Sequence, residues 1–426
     1  MTRARGAGRT AVVVTRTALT AALACATLLG SPGPATARAS EAGTRPGASG
    51  TAPADSFPTL TQRLSGNREA CRRSSGRTTD RTPWPQAYLR PDRVWPLTEG
   101  RGVTVAVVGS GVDDAAGVLG GRLTRAPRQF DAGPAADCVG HGTFVAGLVA
   151  AARTPGTGFA GIAPGARVLA VGVTDRAGNT TPDLLARGIR VAADRGARVI
   201  AVVAVAGQDD ARLRAAVRYA TGKGALLIAP VTPDGQGRGV TAYPAAYPEV
   251  LSVAATGPAG LPAGESGVPP GRVDLTAPGV SVMGTGPGGR GYFTASGPSY
   301  AVAFVAGSAA LVSGYRPELT GGRLAYRLRA TAARPGGGVP DVFQGYGAVD
   351  PVAAVTTVLP EERGVGGRTL PPAPPAAMPA GPGASAAGTG LLVAGAAAGG
   401  TAVVAAAAFV VPAGRRRGWR PGRRAV

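Results

Sequence analysis

The stretch VAVVGSGVDD, residues 105–114, ends an unbroken apolar run in two glycines around a serine, followed by two acids. A short run that is apolar through both faces reads as a strand buried on both sides, and the glycines mark where it turns into a loop. Four further runs have the same character: RVLAVGV (167–173), RVIAVVAV (198–205), ALLIAPV (225–231) and EVLSVAA (249–255). Between them lie TPDLLARGIRVAADRG (181–196) and DDARLRAAVRYATGKG (209–224), with apolar residues at helical spacing, an Asp in each first turn and Gly at each stop. Strands alternating with helices predict an α/β fold, three layers deep, with a mainly parallel central sheet flanked by helices.

That pattern fills residues 83–356, and the flanks read differently. At the N-terminus, Arg3, Arg5, Arg9 and Arg16 precede TALTAALACATLLG and then small-residue cleavage sites, so 1–39 reads as a secretory signal peptide. Cys25 in ALAC is a poor match to a lipoprotein site. Residues 40–82 are polar, rich in Gly, Ser and Thr and without periodicity, which predicts an extended arm. Residues 357–390, with LPPAPPAAMPAGPGASAAG, read as a Pro/Ala/Gly-rich spacer.

The uncharged run LLVAGAAAGGTAVVAAAAFVV, 391–411, would span about 31 Å as a helix, the thickness of a bilayer core. RRRGWRPGRR follows at once, in a basic tail over 412–426. Cations stay cytoplasmic, so this order predicts a single-pass anchor with the main domain outside the cell. The competing reading is an Ala/Gly-rich tail without fixed structure.

The net charge of +21 owes much to these two ends. The remaining arginines are scattered, without interleaved aromatics or zinc or helix-turn-helix spacing, which argues against nucleic acid. No motif calls for a metal or a cofactor. After removal of the signal segment two cysteines remain, Cys71 and Cys138, in a chain bound for an oxidising compartment; one disulfide is expected, with free structural thiols the alternative.

His141 is the only histidine, in GHGTFVAGLVAAA (140–152), at the start of a helix rich in small residues. Ser299 lies in ASGPSYAVAFVAGSAALVSG (295–314), at the start of another. Alone, the first reads as structural and the second as a helix N-cap. Together, in this order and with strands between them, they resemble the subtilisin-like serine proteases, whose Asp, His and Ser blocks follow one another along the chain. The likeness is to the mycosins, membrane-anchored members associated with type VII secretion. It is carried by WPQAYLRPDRVWPLTEGRGVTVAVVGSGVD (84–113), DCVGHGTFVAG (137–147), YPAAYPEVLSVAA (243–255), VDLTAPGVSV (273–282) and GYGAVDPVAAV (345–355).

The resemblance implies a subtilisin-like fold, catalytic roles for His141 and Ser299, and as partners a peptide or protein substrate and a type VII secretion membrane complex. It also exposes departures. Gly109 stands at the acid position, and Pro233, in LLIAPVTPDG (226–235), stands at the position of the oxyanion-hole Asn. The substrate-binding strand reads Ala201-Val202-Val203-Ala204, and Gly297-Pro298-Ser299 replaces the usual Gly-Thr-Ser. The sequence therefore predicts a degenerate protease acting as a scaffold or peptide binder. The alternative is an active endopeptidase in which Asp113 or Asp114 substitutes for the missing acid.

Overall fold

The computed structural model describes residues 57–66, 70–127, 129, 136–235, 240–263, 271–334, 336, 340–362, 412, 414 and 416–418. The signal segment, the apolar run at 391–411 and most of the spacer lie outside them. Among the described residues no helix is long and apolar enough to cross a membrane.

The central sheet has seven parallel strands: β1 (Thr104–Gly109), β2 (Leu123–Arg125), β3 (Arg167–Gly172), β4 (Val199–Val202), β5 (Leu226–Pro230), β6 (Leu251–Thr256) and β7 (Leu275–Pro278), in spatial order β2-β3-β1-β4-β5-β6-β7. A separate antiparallel hairpin joins β8 (Val282–Thr285) to β9 (Tyr292–Ala295). The helices are α1 (Trp84–Leu89), α2 (His141–Ala150), α3 (Pro182–Asp194), α4 (Ala211–Gly222), α5 (Pro298–Tyr315), α6 (Gly321–Ala330) and α7 (Pro351–Thr356).

The two faces of the sheet feed two cores, as period-2 alternation requires. On β1, Val105 and Val107 join the core with α2 and α5, while Ala106 and Val108 join the core with α3 and α4. Strand β4 alternates likewise: Val199 and Ala201 face one way, Ile200 and Val202 the other. Strands β1, β3, β4, β5 and β6 are thus largely buried on both sides, which is why the five runs read as continuous apolar segments, while the edge strand β2 is mostly exposed. Helices α2 and α5 are themselves buried all round, so they lack the polar stripe that α3 keeps toward solvent.

The caps follow the sequence. Thr181 accepts from Leu184 N–H at the start of α3, and Asp210 accepts from Arg212 and Leu213 N–H at the start of α4. Close helix packing depends on particular glycines: a Cβ on Gly307 of α5 would lie 2.6 Å from Cβ of Ile162.

The described part of the N-terminal arm runs along the domain in extended form. Leu60 N–H donates to the Thr294 carbonyl at 2.8 Å, adding the arm to the edge of β9, and Leu64 N–H donates to Ala177 at 3.0 Å. Cys71 and Cys138 are joined in a disulfide across a sequence separation of 67.

Candidate functional site

Parallel strands all point their C-terminal ends the same way, and the site gathers at that end of β1, β4 and β5. Helix α2 begins at His141 beside the end of β1. Asp137, which the sequence reading passed over, fixes this start: its carboxylate accepts from Gly140 N–H at 2.8 Å, Thr143 N–H at 2.9 Å and the Thr143 hydroxyl at 2.7 Å. An acid at the first turn also suits the positive end of the helix dipole. The loop after β1 then closes onto α2, with Ser110 Oγ accepting from Gly142 N–H at 2.9 Å. Gly142 must be glycine, because a Cβ there would lie 2.0 Å from the Gly111 carbonyl oxygen.

Helix α5 brings Ser299 to the ring. The Ser299 hydroxyl lies 2.7 Å from His141 Nε2. Tyr300 packs edge-on against His141, with ring centroids 5.2 Å apart, and against Phe144 at 4.9 Å. Burial, then the negative charges of Asp234 and Asp137, push the Tyr300 phenol well above its usual range. The pair is closed to solvent: Ser299 is 0% and His141 2% exposed.

On the Nδ1 side, where an acid would orient the ring, the described residues supply no carboxylate; both side-chain contacts of the imidazole run through Nε2. Gly109 is the last residue of β1, and a Cβ built on it would sit 2.8 Å from Val203 Cγ2. The place from which an acid side chain would start is therefore filled by a valine methyl. Asp113 and Asp114 do not make up the loss. Asp113 accepts from Ala115 N–H at 3.0 Å and Gly288 N–H at 2.8 Å, and Asp114 from Leu119 N–H at 3.1 Å. Both are turn acids, and neither is a partner of the ring.

A different carboxylate meets the pair on its other side. The family resemblance put Pro233 at the oxyanion position, but the side chain that enters the site belongs to the next residue, Asp234. Its Oδ1 accepts from Ser299 N–H at 3.0 Å, and its Oδ2 contacts the Ser299 hydroxyl and lies 3.3 Å from His141 Nε2. The turn after β5 swings this side chain inward, whereas a TPDG sequence by itself reads as a solvated turn. Gly297 makes the approach feasible, since a Cβ there would lie 2.4 Å from the Asp234 carboxyl carbon.

Beside the ring a small cleft is lined by Gln62, Ser110, His141, Thr174, Thr180 and Val205. One wall comes from the arm: Gln62 Nε2 donates to the Val203 carbonyl at 3.2 Å, on the segment that follows β4. Among the described residues no group of His, Cys, Asp and Glu is arranged to hold a metal.

A seven-stranded parallel sheet, with a histidine and a serine brought together from the first turns of two buried helices on one face, defines a subtilisin-like protein. The chain belongs to the Subtilase family, Peptidase_S8, whose profile matches residues 100–347, and within it to the mycosin type. Mycosin-1 of Mycolicibacterium smegmatis is 33% identical over 336 residues, covering 66% of this chain and 74% of that protein. Thermitase of Thermoactinomyces vulgaris is 34% identical over 58% of this chain and 85% of its own length. The solved structure of MycP1 with its N-terminal propeptide removed superposes with a TM-score of 0.59 at 33% identity, covering 66% of this chain and 98% of that one. Another MycP1 structure, of a serine protease described as an essential component of the type VII (ESX-1) secretion system, gives 0.60 at 30% identity over 72% and 97%.

Proposed function

We propose that this chain is a membrane-anchored mycosin-type protein whose protease domain is catalytically degenerate. It serves outside the cell as a scaffold or peptide binder for a type VII secretion complex. The observation that carries this reading is the Val203 methyl packed at Gly109, with no carboxylate behind His141. An imidazole without an acid at Nδ1 lacks the partner that would hold the productive tautomer, with Nε2 bare, and stabilise the imidazolium from that side. In subtilisin, loss of the acid alone lowers turnover about 3 × 10⁴-fold. The burial of Ser299 works in the same direction, because a nucleophile must reach its carbonyl.

Export and anchoring are supported by the apolar N-terminal segment after four arginines and by the uncharged run at 391–411 followed by Arg415, Arg416 and Arg417. Association with a secretion complex is supported by the mycosin relatives.

The second reading, an endopeptidase working through a His141–Ser299 pair, is favoured by their 2.7 Å contact. Peptide hydrolysis by the purified full-length chain separates the two. The degenerate reading expects hydrolysis no faster than that of Ser299→Ala. Robust hydrolysis that Ser299→Ala abolishes would overturn it.

A further inference from the structure

We propose that Asp234 is an internal ligand of the oxyanion site, a carboxylate built into the chain that occupies the place of the transition-state oxygen and holds Ser299 silent. The proposal deepens the degenerate-protease reading and rests on it. In acyl transfer by a serine, the backbone N–H of the nucleophile is one of the donors to the developing oxyanion, which must lie about 2.7–3.1 Å away. Here that N–H already donates to Asp234 Oδ1 at 3.0 Å. The N-terminus of α5 favours an anion at this spot, and Gly297, which has no side chain, leaves room for it. An arriving carbonyl would have to displace a buried negative charge with a developing one.

The second carboxylate oxygen reverses the proton order of the pair. An ionised carboxylate only accepts, so the single hydroxyl proton of Ser299 goes to Asp234 Oδ2. Ser299 Oγ can then only accept from His141, which must carry its proton on Nε2 across the 2.7 Å contact. A general base needs that nitrogen bare. Asp234 thus blocks the oxyanion donor, takes the nucleophile's proton and fixes the ring in the unproductive tautomer. The missing acid at Gly109 does none of these three things, so the two defects act separately.

The test uses the full-length chain and a fluorophosphonate probe, with Asp234→Asn and Asp234→Ala. Asn keeps the shape while removing the charge and supplying a donor; Ala empties the place. On labelling, the Ser299 Oγ–P bond forms, fluoride leaves, and the hydroxyl proton passes through His141 to solvent. Removing the block is expected to raise the labelling rate at least about tenfold over wild type, the scale on which a single oxyanion donor matters or below it. Ser299→Ala added to either variant should abolish the label. Binding of phenylboronic acid, whose tetrahedral adduct places an oxygen at the same donor, should strengthen in parallel. Two folded variants that label and bind boronate no better than wild type would overturn the proposal, as would a wild type that labels as fast as the variants. Variants that label faster without hydrolysing peptide support it and leave the degenerate reading intact. Peptide hydrolysis by the wild type that depends on Ser299 overturns that reading instead.

Discussion

The contact between Gly109 and Val203 can be measured as a coupling energy. Gly109 ends a strand, and its backbone is not in the left-handed region. Replacing such a glycine with alanine ordinarily stabilises by about 0.4–1 kcal/mol through the unfolded chain. Here the new Cβ meets Val203 Cγ2 at 2.8 Å, in a core where Val203 is fully buried. Overpacking of this kind costs about 1–3 kcal/mol, so Gly109→Ala should destabilise by about 1–2 kcal/mol net. Val203→Ala alone removes two buried methyl carbons and leaves a void, costing about 2–3 kcal/mol. In the double variant the clashing carbon is gone and the new methyl enters the vacated space. The pair should fall short of additivity by about 1–2 kcal/mol. Urea unfolding followed by tryptophan fluorescence would give all three values. Additivity within about 0.5 kcal/mol, or a stabilising Gly109→Ala, would refute the claim that Val203 occupies the acid's starting point. If the coupling is found, Gly109→Asp alone should weaken the fold without restoring a working acid, and any rebuilding of the site must change Val203 as well.

Three further outcomes follow from groups around the sheet. The Tyr300 phenol has its folded-state value raised above 10.0, so its contribution to stability is complete below about pH 10 and is lost as pH climbs from there through the raised value. Tyr300→Phe should therefore flatten the alkaline decline in melting temperature, and an unchanged alkaline limb would contradict this. Asp274, 1% exposed, accepts from Ser252 N–H at 2.9 Å and pairs with Arg272 at 3.0 Å and Arg329 at 3.3 Å. Asp274→Ala leaves two largely buried guanidinium groups without their shared carboxylate and should cost about 3–5 kcal/mol in urea unfolding; a loss under about 1 kcal/mol would mean the cluster is solvated. Breaking the Cys71–Cys138 link with Cys71→Ser and Cys138→Ser opens a loop of 67 residues, expected to cost about 4 kcal/mol by chain entropy. Hydrogen exchange should then rise first at Leu60 and Leu64, whose amides tie the arm to the domain.

What was legible in the sequence is what burial writes into it. Strands β1, β3, β4, β5 and β6 are covered on both faces over most of their length, so apolar residues fill nearly every position and the runs stand out. Helices α3 and α4 have one wet face, and their periodicity shows. The hairpin of β8 and β9 and the short β2 did not show as strands, because three or four residues among glycines carry too little pattern. His141 and Ser299 were found because each opens a helix of small residues and their order is distinctive. The partner of Gly109 was quoted in the sequence but not connected to it: Val203 lies 94 positions away, and only the pairing of Val108 with Val202 puts the two side by side. Asp234 was missed altogether. Nothing in TPDG tells a turn acid facing water from one folded back onto a serine, and a shift of one residue in the turn decides between Pro233 and Asp234.

Asp234 also accounts for the persistence of a histidine and a serine in a site that lacks its acid. In a working serine protease the pair faces an open cleft, where water or substrate satisfies its polar atoms. Once the pair is sealed, as the 0% and 2% exposures require, each polar atom needs a protein partner or costs about 1–3 kcal/mol. Asp234 provides this partner: it accepts from the Ser299 amide and hydroxyl, and leaves the hydroxyl free to accept from His141. Ser299, the Asp234 carboxylate and His141 Nε2 then form one hydrogen-bonded cluster against Tyr300 and Phe144, and such a network adds to stability only while its members stay paired. The His141–Ser299–Asp234 cluster is part of what holds α2, α5 and the end of β5 together. Selection for packing can retain His141 and Ser299 on those grounds alone, whether or not the pair turns over a substrate.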